Sequence, residues 1–225
     1  MNRKVDLVML SYTKDTDYFR MTVEALTSLR SEGFDWHMIL VETNPAAASW
    51  YEGLDVEVIV PNEPFNYNRF LNHGFHRLRS DGDTVVICNN DLIADPGWFA
   101  PIWQTLDEGI LEAASPKAPE WPCHADFPDP GIIAGYRVSY EFCGWCWAIK
   151  RPALDRLLPL DEIFFFESQD QDVVEKMRGL GIRHGIVLHS HVRHLLNQSH
   201  ALIPEERRHE MFEGCHQKFK EKYGA

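Results

Sequence analysis

The stretch VVICNNDLIADPGW, residues 85–98, decides the fold class. Val85 to Cys88 is a short apolar, β-branched run, the pattern of a buried strand. It stops abruptly at Asn89-Asn90-Asp91. Open α/β sheets bind ligands beyond the carboxyl ends of their strands, so a carboxylate there is well placed to hold a cation or a phosphate-bearing ligand. Asp95-Pro96-Gly97-Trp98 then turns the chain and starts a helix.

The same grammar repeats on either side. Val5–Leu10 reads as a strand ending at Ser11-Tyr12-Thr13, and residues 15–31 carry Phe19, Val23, Leu26 and Leu29 at helical spacing. Trp36–Val41 is a second strand, ending at Glu42-Thr43-Asn44-Pro45, and Val56–Val60 a third. Residues 66–79 and Trp98–Leu111 read as helices. This order predicts a Rossmann-like, mostly parallel sheet flanked by helices on both faces. Residues 115–135 are rich in Pro and Gly and read as a surface loop. Strand-like segments return at 136–149, a short helix at Arg151–Leu158, a helix at about 170–179 and a last strand at Ile186–His194.

The 225 residues suit one α/β domain with a substantial core. A hydrophobic fraction of 44% with 12% aromatics excludes wholesale disorder. No apolar run has the length of a membrane span, and the first residues run straight into a strand, so a cytoplasmic protein is expected. Five cysteines without a regular framework fit reduced thiols. The net charge of −12 speaks against a general nucleic-acid coat. The charge is uneven: residues 1–175 carry −16, whereas residues 176–225 carry +4 and seven of the eleven histidines. An anionic partner would meet that quarter more naturally.

Parallel strands bring their carboxyl ends to one edge, so Ser11, Tyr12, Glu42, Asn44 and Asp91 should converge there. By itself Asp91 would read as an Asx-turn carboxylate. In ESQDQD, residues 167–172, Asp172 fits the favourable start of a helix, and Asp170, just after an aromatic run, is the better base. His189, His191, His194 and His200 cluster at a strand end, where one imidazole and one carboxylate would leave open positions on a divalent ion. Cys143 and Cys146 have CxxC spacing, but no second pair and no redox-site context accompany them. Trp145 and Trp147 alternate on an expected strand, where core packing is the default and stacking on a sugar or base the functional alternative.

In this order the pieces resemble the family 2 glycosyltransferases with the GT-A fold. The resemblance covers roughly residues 4–200 and rests on VDLVMLSYT, MILVETN, NEPFNYNRFLNHGF, VVICNNDLIADPGW, CGWCWAIKRPALDRL, LDEIFFFESQDQDVVEKMRGLG and VRHLLNQS. Two departures stand out. The Asp-x-Asp motif is Asn89-Asn90-Asp91, and the Glu-Asp pair is Gln169-Asp170.

The resemblance implies a single GT-A domain over residues 1–225, with a nucleotide-sugar half (1–100), an acceptor and catalytic half (101–200) carrying a small subsheet, and a helical tail (201–225). It implies an inverting transfer of a sugar from a nucleoside diphosphate donor, a UDP-sugar first, to an acceptor hydroxyl. Asp170 would be the base. Ser11, Tyr12, Glu42, Asn68, Asn72, Asn89, Asn90 and Asp91 would bind the donor, with Asn72 and Gly74 on the family's Asn-x-Gly. Trp145, Trp147 and Gln169 would face the acceptor. Mn²⁺ or Mg²⁺ would sit on Asp91 and His194, with His191 in reserve. The acceptor is expected to be a saccharide or a hydroxymethylated base in DNA. A nucleotide-sugar binding module without turnover is the alternative.

Overall fold

The computed structural model describes residues 3–195 and 205–224. Its sheet begins with four parallel strands whose inner members are buried on both faces: β1 (Lys4–Ser11), β2 (Asp35–Glu42), β3 (Glu57–Ile59) and β4 (Thr84–Asn89). Completing the set are β5 (Leu92–Ala94), β6 (Ala113–Lys117), β7 (Ile132–Ala134), β8 (Cys146–Lys150) and β9 (His184–His194). The order across the sheet is β3-β2-β1-β4-β8-β6-β9-β5, with β7 also on β9. β8 runs antiparallel to both β4 and β6. The short β5 and β7 pair antiparallel with β9 and form the small subsheet.

Alternation along the strands splits the core into two layers. Leu7, Met9, Val86 and Cys88 face α1 (Thr16–Leu29) and α3 (Phe99–Asp107). Val8, Leu10, Val85 and Ile87 face α2 (Tyr67–Phe75), α4 (Arg151–Leu157) and α5 (Gln169–Gly179). Local chemistry sets the starts of the helices. Asp15 caps α1 by accepting from the amides of Asp17 and Tyr18, and Asn66 caps α2 by accepting from that of Arg69. A further helix, α6 (Glu205–Tyr223), packs its end against α5.

Two sequence expectations change. The segment read as a loop from 115 begins inside β6 and contains β7. Ala-Ala-Ser-Pro-Lys lacks the usual strand residues, yet all five are buried, because β6 is inserted between β8 and β9. Pro116 sits where the register with β9 shifts, a position that tolerates its missing amide hydrogen. Conversely, residues 136–145 form turns, and only Cys146–Lys150 is strand.

The Asn-x-Gly of α2 has a packing reason. The side-chain amide of Asn72 donates to Leu160 O (3.0 Å), and its carbonyl accepts from Leu160 N (3.0 Å). A Cβ at Gly74 would overlap Cγ1 of Val8 and lie 3.3 Å from Cγ2 of Val41. Gly74→Ala should therefore destabilise the fold. Overpacking costs about 1–3 kcal/mol, against a helix-propensity gain of about 1 kcal/mol. A fall in the denaturation midpoint is the expected result, and an unchanged or higher midpoint would refute the close-packing argument.

Candidate active site

The reversed strand β8 brings the turn before it to the edge where β4 ends. The amide of Asn89 donates to Trp145 O (2.9 Å), which fixes this turn beside the Asn-Asn-Asp run. Gly144 lies in the turn with its Cα against the carboxylate of Asp170, in the first turn of α5; a Cβ there would occupy the carboxylate's place. The next residue, Trp145, stacks on the imidazole of His194, with ring centroids 5.2 Å apart and planes at 16°. Nε2 of His194 is 3.3 Å from Oδ1 of Asp91, and the Leu195 amide donates to Asp91 O (2.9 Å). Asp170, Gly144, Trp145, His194 and Asp91 thus form one continuous run of contacts.

Buried polar atoms normally have partners. Here Asp91 Oδ1, His194 Nδ1, Trp145 Nε1 and Gln169 Oε1 are buried without a hydrogen-bond partner among the described residues. The Asp91–His194 separation also suits a cation, since adjacent ligands of an octahedral ion at about 2.1 Å lie about 3 Å apart. No third His, Cys, Asp or Glu completes a set among the described residues. A cation on this pair would take its remaining ligands from water or a bound phosphate.

Asp170 is pushed up to about 6, first by burial and second by the charge of Glu167. Tyr67 was not among the expected site residues. Its hydroxyl donates to Asn89 Oδ1 (3.3 Å), and burial, with Asp170, Cys88 and Asp91 nearby, holds the phenol protonated. Trp121, in the loop after β6, also went unmarked. It too stacks on His194, at 5.8 Å and 25°.

Other expected residues are also bonded within the chain, although Glu42 Oε2 and Asn68 Oδ1 likewise lack a hydrogen-bond partner among the described residues. Asn90 donates to the hydroxyls of Ser11 (3.2 Å) and Thr22 (2.9 Å). Glu42 is fully buried, and its Oε1 accepts from the amides of Thr13 (3.0 Å) and Asn44 (2.8 Å). Asn68 donates to Asp161 O (2.7 Å), just as Asn72 is occupied by Leu160. Of the strand-end set, Tyr12 is exposed and Asn89 half-buried. Trp147 is a core residue against Phe142, facing the α4 and α5 layer, so it does not reach an acceptor; β8 starts only after Trp145, and the two indoles do not alternate on one strand.

His191 points away from Asp91: its Nε2 lies 3.0 Å from Leu188 O, and its nearest carboxylates are Asp95 and Asp129. It therefore cannot replace His194 on Asp91. His200 lies outside the described residues. Cys143 and Cys146 are free, buried thiols held above their ordinary range by burial, which suits neither a redox pair nor a metal site. No helix among the described residues is long and apolar enough to cross a membrane.

No protein-family model and no curated protein matches the sequence. Solved structures do. GalNAc-T7, in a crystal structure with UDP, GalNAc and Mn²⁺, matches with a TM-score of 0.69 at 11% identity, over 87% of this chain and 44% of its own. The mannosyltransferase PcManGT from Pyrobaculum calidifontis, in complex with GDP-Man and Mn²⁺, matches with a TM-score of 0.66 at 17% identity, over 88% and 59%. The fold is GT-A. This GT-A chain spans about half the length of the chains it matches.

Within the GT-A frame, the ledge at Gly144 can be tested directly. Gly144 has no left-handed backbone, so Gly144→Ala is compatible with the turn but not with the Asp170 carboxylate. The displaced carboxylate should titrate closer to the ordinary aspartate value of about 3.9, as followed by carbon NMR. An unchanged titration near 6 would show that the ledge does not hold it.

Proposed function

We propose that the chain is a metal-dependent glycosyltransferase. It moves a sugar from a nucleoside diphosphate donor, a UDP-sugar first, to an acceptor hydroxyl with inversion. The observation that carries this reading is the contiguity of a proton acceptor and a cation pair. The Asp170 carboxylate rests on Gly144, and the adjoining Trp145 covers His194, 3.3 Å from Asp91. GalNAc-T7 and PcManGT, both solved with Mn²⁺ and nucleotide ligands, support the cofactor and donor class.

Asp170 takes the proton of the acceptor hydroxyl as that oxygen bonds to the anomeric carbon and the bond to the diphosphate breaks. A carboxylate with a raised proton affinity suits this work near neutrality. Asp91 and His194 would hold Mn²⁺ or Mg²⁺, whose charge would offset that on the departing diphosphate. Tyr67 keeps its proton, remains a donor and orients Asn89 toward the donor site. Trp145 and Gln169 lie on the acceptor side, with unpaired polar atoms to offer.

A saccharide acceptor fits better than modified DNA, because basic side chains of the C-terminal quarter turn inward. Lys222 pairs with Asp161 (2.7 Å) and Asp172 (2.5 Å), Lys176 donates to Pro159 O (2.8 Å) and Arg183 lies 3.7 Å from Glu112. Labelled donor offered with oligosaccharide or with hydroxymethylated duplex decides between them; strongly salt-sensitive transfer to the duplex would overturn the saccharide assignment.

The replacement of two acids by Asn89 and Gln169 favours a second reading, a nucleotide-sugar binding module without turnover. Metal-dependent donor hydrolysis, abolished by chelator, is the expected result; donor binding with neither hydrolysis nor transfer would support the module.

The pH dependence follows from Asp170. Its protonated form cannot act as base, so transfer should fall about tenfold per unit below a pH of about 6 and level off above it. Asp170→Asn should lower transfer by about 10²–10⁴-fold and remove this limb. Stability should move the other way. A carboxylate raised above its unfolded value destabilises the fold once ionised, so at neutral pH the Asn variant should melt higher than the parent. Near-full transfer by Asp170→Asn with intact donor binding would refute the base assignment.

A further inference from the structure

We infer that Trp121 and Trp145 are positioning residues for the cation site, each stacking its indole on the imidazole of His194. The inference rests on the proposed reading of His194 as a metal ligand. A metal-bound imidazole is usually oriented by a hydrogen bond from its second ring nitrogen to a carboxylate or carbonyl. Here that nitrogen, Nδ1, is buried and has no partner among the described residues. Without such a bond an imidazole could turn about its Cβ–Cγ bond and carry Nε2 away from Asp91. Stacking against two indoles opposes that rotation: Trp145 at 5.2 Å and 16°, Trp121 at 5.8 Å and 25°.

Both clamps are themselves held. Trp145 is fixed by its carbonyl, which accepts from the Asn89 amide (2.9 Å), and its indole is 7% exposed. Trp121 belongs to a tight turn pinned by His124. The amide of Ala118 donates to Nδ1 of His124 (3.0 Å), so Nε2 carries the proton and donates to Tyr140 O (2.8 Å). The amide of His124 in turn donates to Trp121 O (2.8 Å). Burial lowers the proton affinity of His124, consistent with a neutral ring acting as a fixed staple. The loop after β6 thereby reaches across the sheet edge to complete the cation site from outside.

The test is Mn²⁺ binding by the full chain without donor, read from the loss of the free-ion electron paramagnetic resonance signal. Trp121 is the better target, since it is half-buried and Trp145 belongs to the core. Trp121→Ala is expected to weaken Mn²⁺ binding by about 10–100-fold, the usual effect of losing a residue that orients a ligand. Trp121→Phe, which keeps an aromatic face, should restore most of it. His194→Ala should abolish binding. Unchanged binding in His194→Ala would overturn the metal reading and the clamp with it. Lost binding in His194→Ala with unchanged binding in Trp121→Ala would overturn the clamp alone. Failure of Trp121→Phe to restore binding would likewise overturn it.

Discussion

The site depends on one reversed strand. β4 runs outward to Asn89, and its neighbour β8 runs back inward from Cys146. A strand running the other way puts its beginning, not its end, at the ligand edge. The turn at Gly144 and Trp145 is therefore delivered beside Asp91, with the Asn89 amide bonded to Trp145 O. A parallel strand in that place would have presented its carboxyl end instead. Everything else in the centre is arranged on this turn: Asp170 on one side through the missing Cβ of Gly144, and His194 on the other through the indole of Trp145.

That arrangement accounts for a site with few acids. Asp91 is the last residue of Asn89-Asn90-Asp91 and faces one imidazole. Asn90 has become part of a buried hydroxyl network with Ser11 and Thr22, which joins the ends of β1 and β4 to α1. Two neighbouring residues at one strand end thus do different work. Asn90 binds protein atoms and stiffens the edge, whereas Asp91 Oδ1, facing His194, has no hydrogen-bond partner among the described residues. On the proposed reading, a cation held by only two side chains would need those two to be held well, and the stacked indoles would supply the rigidity of a larger ligand set.

The sequence made the parallel half legible because Val5–Leu10, Trp36–Val41 and Val85–Cys88 are uninterrupted apolar runs with polar stops. It concealed β6, where Ala, Ser and Pro are buried by position and not by type. Asp91, Asp170 and His194 were identifiable from resemblance, and the structure brings them together around one turn. Trp121 and Tyr67 were not, because each matters through contact with residues far away along the chain. The error over Trp147 came from assuming a strand through 145–147, when the turn ending at Trp145 changes the face that each indole takes. Spacing alone did not foretell that Glu42, Asn68 and Asn72 each also bond to a neighbouring loop.

The two aspartates at the start of α5 carry this distinction to its chemical consequence. Residues two apart on a helix point about 200° away from each other, so Asp170 and Asp172 cannot share surroundings. Asp172 is fully buried, and its Oδ1 accepts from Lys222 (2.5 Å) and from the hydroxyl of Tyr223 (2.7 Å), which binds α6 to α5. Asp170 has burial without a compensating cation among the described residues, and the charge of Glu167 adds to the effect. The helix dipole favours both carboxylates similarly, so it does not separate them. The presence of Lys222 at one and its absence at the other does. One carboxylate anchors α6, while burial holds its neighbour above the ordinary carboxylate range, the property that the proposed base requires.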